Sequence, residues 1–221
     1  MTKTKSLACF VCLLIAVNSP ALAQYWTSQS TSTTAALNSV KAVNASTAWV
    51  CGASGTILRT TDGGATWAKL SAPLASIGYS FYSVEALDAN TAWVAGGNGT
   101  NSSGLFKTTN GGLSWVQQMS SVTAGTFYNV VLFTDANNGI LFGDPEGGYF
   151  VVYSTANGGS SWTRTSQTNI PAPLFGEVGL SNNLAISGNT VIFGTGMSQT
   201  TPATRVFRST DRGKSWTASS V

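Results

Sequence analysis

Apolar and polar residues alternate along this chain in short runs, and no stretch sustains a helical period. "YSVEAL" at 82–87 alternates as a half-buried strand, "DAN" makes a turn, and "TAWVAGG" at 91–97 forms a second apolar run. "GLFKTT" at 104–109 and "SWVQQM" at 114–119 supply a third and a fourth. Period-two runs of this length, bounded by Gly, Asn, Asp and Ser, are the signature of β-strands. The same succession of four strands recurs at about 37–71, 127–167 and 179–221, with the unit just described occupying about 81–119. A four-stranded unit has little core of its own and buries its faces by stacking on its neighbours. The pattern therefore predicts an all-β fold: a β-propeller with four recognisable four-stranded blades.

Between the third and fourth strand of every unit stands one turn, written "RTTDGGATW" at 59–67, "KTTNGGLSW" at 107–115, "STANGGSSW" at 154–162 and "RSTDRGKSW" at 208–216. Asp62, Asn110, Asn157 and Asp211 are placed to accept bonds from backbone N–H groups of their own turn. Gly64, Gly112, Gly159 and Gly213 supply a left-handed backbone position, and Trp67, Trp115, Trp162 and Trp216 cover the hairpin with apolar area. This resembles the Asp-box, or bacterial neuraminidase repeat. In a propeller such turns belong to separate blades, so they predict structure and no metal or catalytic array.

Aligning the units sets Gly52, Gly96, Gly143 and Gly194 together, which places Cys51 opposite Ala95, Phe142 and Phe193 as a core residue. It also sets Arg59, Lys107, Tyr153 and Arg208 together before the turn.

Composition narrows the picture. Only 9% of the 221 residues are charged and His is absent, which suits a turn-rich extracytoplasmic β protein. Residues 1–23 have the form of a secretory leader: Lys3 and Lys5, then the apolar run Leu7–Val17, then Ala21-Leu22-Ala23 before the cleavage point. Export to the periplasm, cell surface or medium is expected, with 24–221 as the propeller domain. Removing Lys3 and Lys5 lowers the formal charge from +3 to near +1, which favours neither nucleic acid nor an anionic membrane surface. No apolar run is long enough to span a bilayer. Cleavage also removes Cys9 and Cys12, so Cys51 has no internal disulfide partner. With no His to serve as its base, it is not a promising nucleophile. No cofactor is called for.

Loop length locates the candidate binding surface. The first-to-second-strand turns and the Asp-box turns keep their length. The second-to-third connections differ ("GASG", "GGNGTNSSG", "GDPEGG", "GTGMSQTTPAT"), and so do inter-blade connections such as "SSVTAGT" at 120–126 and "TNIPAPLFGEVG" at 168–179. Meander connectivity puts both variable classes on one face. Asp144, Glu146 and Glu177 lie there outside repeat positions, with Arg205, Tyr149 and Phe175 nearby. Two readings stay open for the carboxylates: general acid–base or cation chemistry, and the structural role of holding loop N–H groups. Tyr79, Phe81 and Phe127 serve either binding or blade packing.

"AWVCGASGTILRTTDGGATW" resembles the repeat of the photosystem II stability/assembly factor family, whose propellers are non-catalytic scaffolds. The stretch "GDPEGGYFVVYSTANGGSSWTRTSQTNIPAPLFGE" resembles related exported propellers, some described as sialidase-like. The resemblance implies a secreted binding or scaffold propeller with a protein or extracellular glycan as partner. The rival is a sialidase-like glycoside hydrolase. That family's activity needs an arginine triad and an Arg-Ile-Pro element, and this sequence has neither, so no residue is assigned a catalytic role. Finally, Tyr25-Trp26-Thr27-Ser28-Gln29 resembles the fourth strands "SWVQQ" and "SWTRT" without three strands before it. Residues 24–30 are therefore expected to close the last blade of a larger propeller of six to eight blades, encoded by a reading frame that continues for two to four more.

Overall fold

Four antiparallel four-stranded sheets make up the computed structural model, which describes residues 27–73, 76–100, 102–123, 125–197 and 204–220. The leader reading of 1–23, with Tyr25 and Trp26, lies outside the described residues. Blade 1 holds β1 (Leu37–Ala42), β2 (Ala48–Gly52), β3 (Ile57–Thr60) and β4 (Ala68–Lys69). Blade 2 holds β5 (Ser80–Ala86), β6 (Ala92–Gly97), β7 (Ser103–Thr108) and β8 (Val116–Ser121). Blade 3 holds β9 (Tyr128–Phe133), β10 (Gly139–Glu146), β11 (Tyr149–Thr155) and β12 (Thr163–Arg164). Blade 4 holds β13 (Glu177–Ser187), β14 (Thr190–Met197), β15 (Arg205–Ser209) and β16 (Thr217–Ser220). Each sheet is a simple meander, and the innermost strands β1, β5, β9 and β13 lie side by side in that order. That is propeller geometry.

The core lies between blades. Alternate strand residues point forward to the next blade or back to the previous one. Trp49, Cys51 and Ile57 of blade 1 pack on Val84, Val94 and Phe106 of blade 2. Trp93, Ala95 and Leu105 of blade 2 pack on Val131 and Leu141 of blade 3. Ile140, Phe142 and Val152 of blade 3 pack on Phe193 and Phe207 of blade 4, where those last two rings stack at 4.6 Å. Each buried side chain of this size stabilises by roughly 1.5–3 kcal/mol. Cys51 is fully buried, and burial pushes its thiol pKa up, so it is an inert core residue.

Two sequence alignments need correction. The turn Ser/Thr anchors the register: Thr60 pairs with Ala48, Thr108 with Ala92, Thr155 with Gly139 and Ser209 with Val191. Counting from there, Cys51 corresponds to Ala95, Phe142 and Gly194, not Phe193. Phe193 belongs with Val50, Val94 and Leu141, which point backward, and Thr195 takes the place of Gly52, Gly96 and Gly143. In blades 1–3 a β-carbon at that place would sit 2.1, 2.2 and 1.9 Å from the carbonyl oxygens of Ala36, Ser80 and Phe127, so only glycine fits. In blade 4 the inner strand bulges out at residues 180–183, between the pairs Gly179–Thr195 and Leu184–Phe193. The bulge frees the space, and threonine replaces glycine. By the same count the residue matching Arg59, Lys107 and Arg208 is Ser154, not Tyr153. The bulge also carries Asn182 to blade 1, where its Nδ2 donates to Asn38 O at 3.1 Å.

The repeat turns are nearly superimposable in their bonding. Thr60 Oγ1 donates to Asp62 Oδ1 (2.8 Å) and accepts from Gly64 N (2.9 Å), while Asp62 Oδ1 accepts from Thr66 N (2.9 Å). Thr108/Asn110, Thr155/Asn157 and Ser209/Asp211 repeat this set. A further bond, between the two side chains, changes direction. Ser215 Oγ donates to Asp211 Oδ2, whereas Asn157 Nδ2 donates to Ser161 Oγ. The turns face the first-to-second-strand turns, with Gly63 N, Gly111 N, Gly158 N and Arg212 N donating to Ser46 O, Asn90 O, Asn137 O and Asn189 O. This is the face of constant loops.

Candidate functional site

The opposite face carries the connections of variable length, and hydrogen bonds knit them together. Gly55 N donates to Tyr79 O (2.7 Å), Ser103 Oγ to Thr126 O (2.6 Å) and Asp144 N to Phe127 O (3.1 Å). The Tyr79 hydroxyl bonds Ser102 Oγ. In blades 1–3 the second-to-third-strand loop thus leans on the connection entering or leaving its own blade.

Its charged residues are engaged with one another. Arg205 donates through NH2 to Glu177 Oε2 (2.5 Å) and through Nε to Oε1 (3.1 Å). Thr195 Oγ1 donates to Oε1 (2.5 Å), Leu174 N to Oε2 (2.8 Å), and Arg205 NH2 also reaches Ala172 O (2.7 Å). Burial opposes ionisation of Glu177, but the bonds from Arg205, Thr195 and Leu174 outweigh it and hold the carboxyl below the ordinary glutamate range. The pair clamps connection 171–177 onto blade 4. Asp144 Oδ1 accepts from Asn129 Nδ2 (2.8 Å) and Gly179 N (3.0 Å), joining the inner strands of blades 3 and 4. Burial raises its pKa, partly offset by those two bonds. Glu146 forms a half-exposed ion pair with Arg164 at 3.4 Å.

The sequence-picked residues thus divide. Glu177 and Arg205 come together directly, and Asp144 joins the same segment through Gly179; both Glu177 oxygens and Asp144 Oδ1 accept hydrogen bonds. Tyr149 packs half-buried against the blade 3–4 core. Tyr79 and Phe81 are core residues, at 4% and 0% exposure. Phe175 is 80% exposed. Among the described residues no group of His, Cys, Asp and Glu side chains is placed to hold a metal ion.

The residues that sequence reasoning missed are apolar. Ile77 in the blade 1–2 connection is 85% exposed, Val122 in the blade 2–3 connection 82%, and Leu174 beside Phe175 43%. Each inter-blade connection therefore lifts a large apolar side chain into solvent on one face. Only Val122 carried a signal, as the one large apolar residue in the polar connection 120–126; Ile77 and Leu174 stand among other apolar residues of their connections. Beside Ile77 lies an open recess lined by Ser54, Gly55, Pro73, Ser76 and Ser80. Such a surface offers shape and apolar contact rather than acid–base chemistry.

Among the described residues no helix is long and apolar enough to cross a membrane. No curated protein matches the sequence. Solved structures share its fold at low identity. A structure described as YCF48 bound to D1 peptide is 17% identical with a TM-score of 0.54, over 86% of this chain and 70% of that one. YCF48 from Cyanidioschyzon merolae is 18% identical with a TM-score of 0.59, over 87% of this chain and 58% of that one. The GH74 xyloglucanase from Xanthomonas campestris is 18% identical with a TM-score of 0.57, over 78% of this chain and 28% of that one. The chain spans little more than half of the C. merolae protein and under a third of the xyloglucanase. At this identity the likeness is one of fold. The family model described as photosynthesis system II assembly factor YCF48 matches residues 18–170, about two thirds of the sequence and blades 1–3 entire. This chain belongs to that YCF48 family of β-propellers.

Proposed function

We propose that this chain is an exported, non-catalytic propeller that binds a polypeptide partner through its variable-loop face. The carrying observation is the exposed apolar residue on every inter-blade connection: Ile77, Val122 and Phe175 with Leu174. Exposed apolar side chains on loops held by a rigid framework suit recognition. Two further facts support a non-catalytic role. The carboxylates of Glu177 and Asp144 are committed to Arg205 and to Asn129 and Gly179. The arginines a sialidase would need are otherwise employed, with Arg59 bonded to Ala89 O and Arg164 paired with Glu146. A related YCF48 has been solved with a D1 peptide bound, a precedent for a polypeptide ligand on this scaffold. Export rests on the leader-like residues 1–23.

The test immobilises the 24–221 chain, exposes it to native envelope extract, and repeats the capture with an Ile77→Ser/Val122→Ser/Phe175→Ser variant. The variant should retain stability within about 1 kcal/mol, since exposed loop changes are mild, and should lose the captured partner at least about tenfold through its apolar anchors. Equal capture by the variant would reject the face. Turnover of xyloglucan or sialoside substrates by the wild-type chain would reject the non-catalytic reading.

A further inference from the structure

On the constant-loop face, two of the blade boundaries are closed by the same construction, an indole capped by a cation that clamps the next blade. Trp49 pairs across the ladder with Arg59, whose guanidinium lies 5.4 Å from the indole and donates through NH1 to Ala89 O of blade 2 at 2.7 Å. Trp93 pairs with Lys107, whose ammonium lies 4.8 Å from the indole and donates to Gly158 O of blade 3 at 2.9 Å. At this second boundary Phe133 also stacks on Trp93 at 3.8 Å, and Trp93 Nε1 donates to Gln118 Oε1 at 3.0 Å. Ring, cation and amide together fill the space.

The blade 3–4 boundary keeps the frame and shrinks the contents. Ile140 pairs with Ser154 at the places of Trp93 and Lys107. The register that sets Phe133 opposite Gly139 sets Ile186 opposite Val191, so Ile186 stands where Phe133 stands one blade earlier. Thr165 takes the place of Gln118, each three residues past its turn tryptophan. All four changes remove volume. What remains is an open recess of about 320 Å³, within the range of small-molecule sites, roughly 300–1,000 Å³.

The recess offers spare donors over an aliphatic floor. Ile140 and Ile186 belong to the blade 3–4 core and supply the floor, while Ser154, Thr163, Arg212 and Lys214 complete the lining. Lys214 Nζ and the hydroxyls of Ser154 and Thr163 have no hydrogen-bond partner among the described residues. Arg212 bonds Asn189 through Nε and Asn138 through NH1, which leaves NH2 free to donate. No Asp or Glu lines the recess. The nearby carboxylates accept within their own turns, Asp135 from Asn137 N and Asn138 N, and Asp211 from Ser209 Oγ and Ser215 N. Two cations with unused donors and no lining carboxylate call for an oxyanion, and a guanidinium matches a carboxylate in shape as well as charge.

We propose that this recess binds a short-chain aliphatic carboxylate, its head held by Arg212 and Lys214 and its hydrocarbon resting on Ile140 and Ile186. The site lies on the face opposite Ile77, Val122 and Phe175 and does not depend on polypeptide recognition there. Ser154 is the residue that opens it. A lysine at this place would repeat Lys107 and occupy the space.

Titration of isovalerate into the isotope-labelled chain, followed by amide NMR, tests this. Isovalerate should shift the amides of Ser154, Thr163 and Lys214 saturably at about millimolar concentration. Isovaleramide, of the same shape without the charge, should bind at least about tenfold more weakly. Arg212→Gly and Lys214→Gln should each weaken isovalerate at least about threefold. Arg212→Gly restores the residue that the other three turns carry as Gly63, Gly111 and Gly158, so it keeps the fold. Ser154→Lys should weaken binding at least about tenfold by filling the recess. The proposal is overturned if isovalerate leaves these amides unmoved up to about 50 mM, or if isovaleramide binds equally well. It is also overturned if folded Ser154→Lys, or the Arg212→Gly/Lys214→Gln double variant should Ser154→Lys not fold, binds isovalerate as tightly as the wild-type chain.

Discussion

Blades 3 and 4 share a strand order and a repeat turn, yet they treat their forward faces and their cations differently. Blade 3 buries Ile140, Phe142 and Val152 against blade 4, while the matching Ile192 and Val206 stand in solvent. Blade 3 has Ser154 where blades 1, 2 and 4 have Arg59, Lys107 and Arg208. The cation at the blade 3–4 boundary comes from the other side instead. Arg212 occupies the first glycine position of the turn, donates through NH1 to Asn138 Oδ1 of blade 3 (3.0 Å) and through Nε to Asn189 Oδ1 (2.7 Å). It does so at φ +61°, a left-handed conformation that Gly63, Gly111 and Gly158 adopt without strain. The difference teaches that this glycine answers two demands, one from its own backbone and one from its neighbour. A β-carbon on Gly111 would lie 2.0 Å from Arg59 NH1, whereas on Gly158 it would lie 2.8 Å from Ala136 O of its own blade and only in ordinary contact, 3.4 Å, with Lys107 Nζ, which bonds the Gly158 carbonyl. Where the preceding blade offers only serine, the vacancy can be filled, and the clamp reverses.

The largest expected effect contrasts equivalent isoleucines. Ile140→Ala should cost roughly 2–5 kcal/mol through lost burial and a cavity, whereas Ile192→Ala should cost under about 1 kcal/mol in the same chain. Chemical denaturation of both variants measures the gap, and equal costs would mean the forward face of blade 4 is covered.

A smaller effect should come from forcing the blade 3–4 arrangement onto the blade 2–3 boundary. Gly158→Arg should cost roughly 2–3 kcal/mol, from the left-handed penalty and from displacing Lys107 from Gly158 O. In a Lys107→Ser background the same change should cost at least about 1 kcal/mol less, a coupling that a double-mutant cycle reads directly. Additive costs would show that the cation and the glycine are unrelated.

The smallest effect is acid sensitivity that, among the four repeat turns, is confined to those of blades 1 and 4. Partial burial works against ionised Asp211, but bonds from Ser215, Ser209 and Lys214 N outweigh it and hold its carboxyl at about 2; bonds chiefly from Thr66 hold Asp62 at about 2. Both pKa values lie below the unfolded aspartate value of about 3.9, so their contribution is present above that value and is lost as pH falls through about 2. Asn157 does not titrate. Amide exchange at Thr66 and Ser215 should therefore quicken relative to Ser114 and Ser161 between about pH 4 and 2. Asp211→Asn should remove the difference in blade 4. Parallel behaviour of all four turns would rule out the carboxylates as its source.

By itself the sequence determined the strand succession, the four units and the turn chemistry, because these depend on alternation and on contacts within a few residues. Thr60, Asp62 and Gly64 bond one another whatever surrounds them. It also located the variable face, since meander connectivity follows from strand order. Tertiary structure alone decided the rest. Gly194 matches the glycine series by spacing, but the ladder from Val191 to Ser209 shifts it one place, and only the bulge at 180–183 explains why Thr195 fits there. Glu177 and Arg205 lie 28 residues apart and read equally well as a binding pair or a clamp until burial and the bonds from Thr195 and Leu174 join them. Ile77 and Val122 were not singled out in the sequence, and Phe175 stood out only as one of several aromatics near the variable connections. What sets them apart is exposure, a property of how the blades pack around them rather than of the residues themselves.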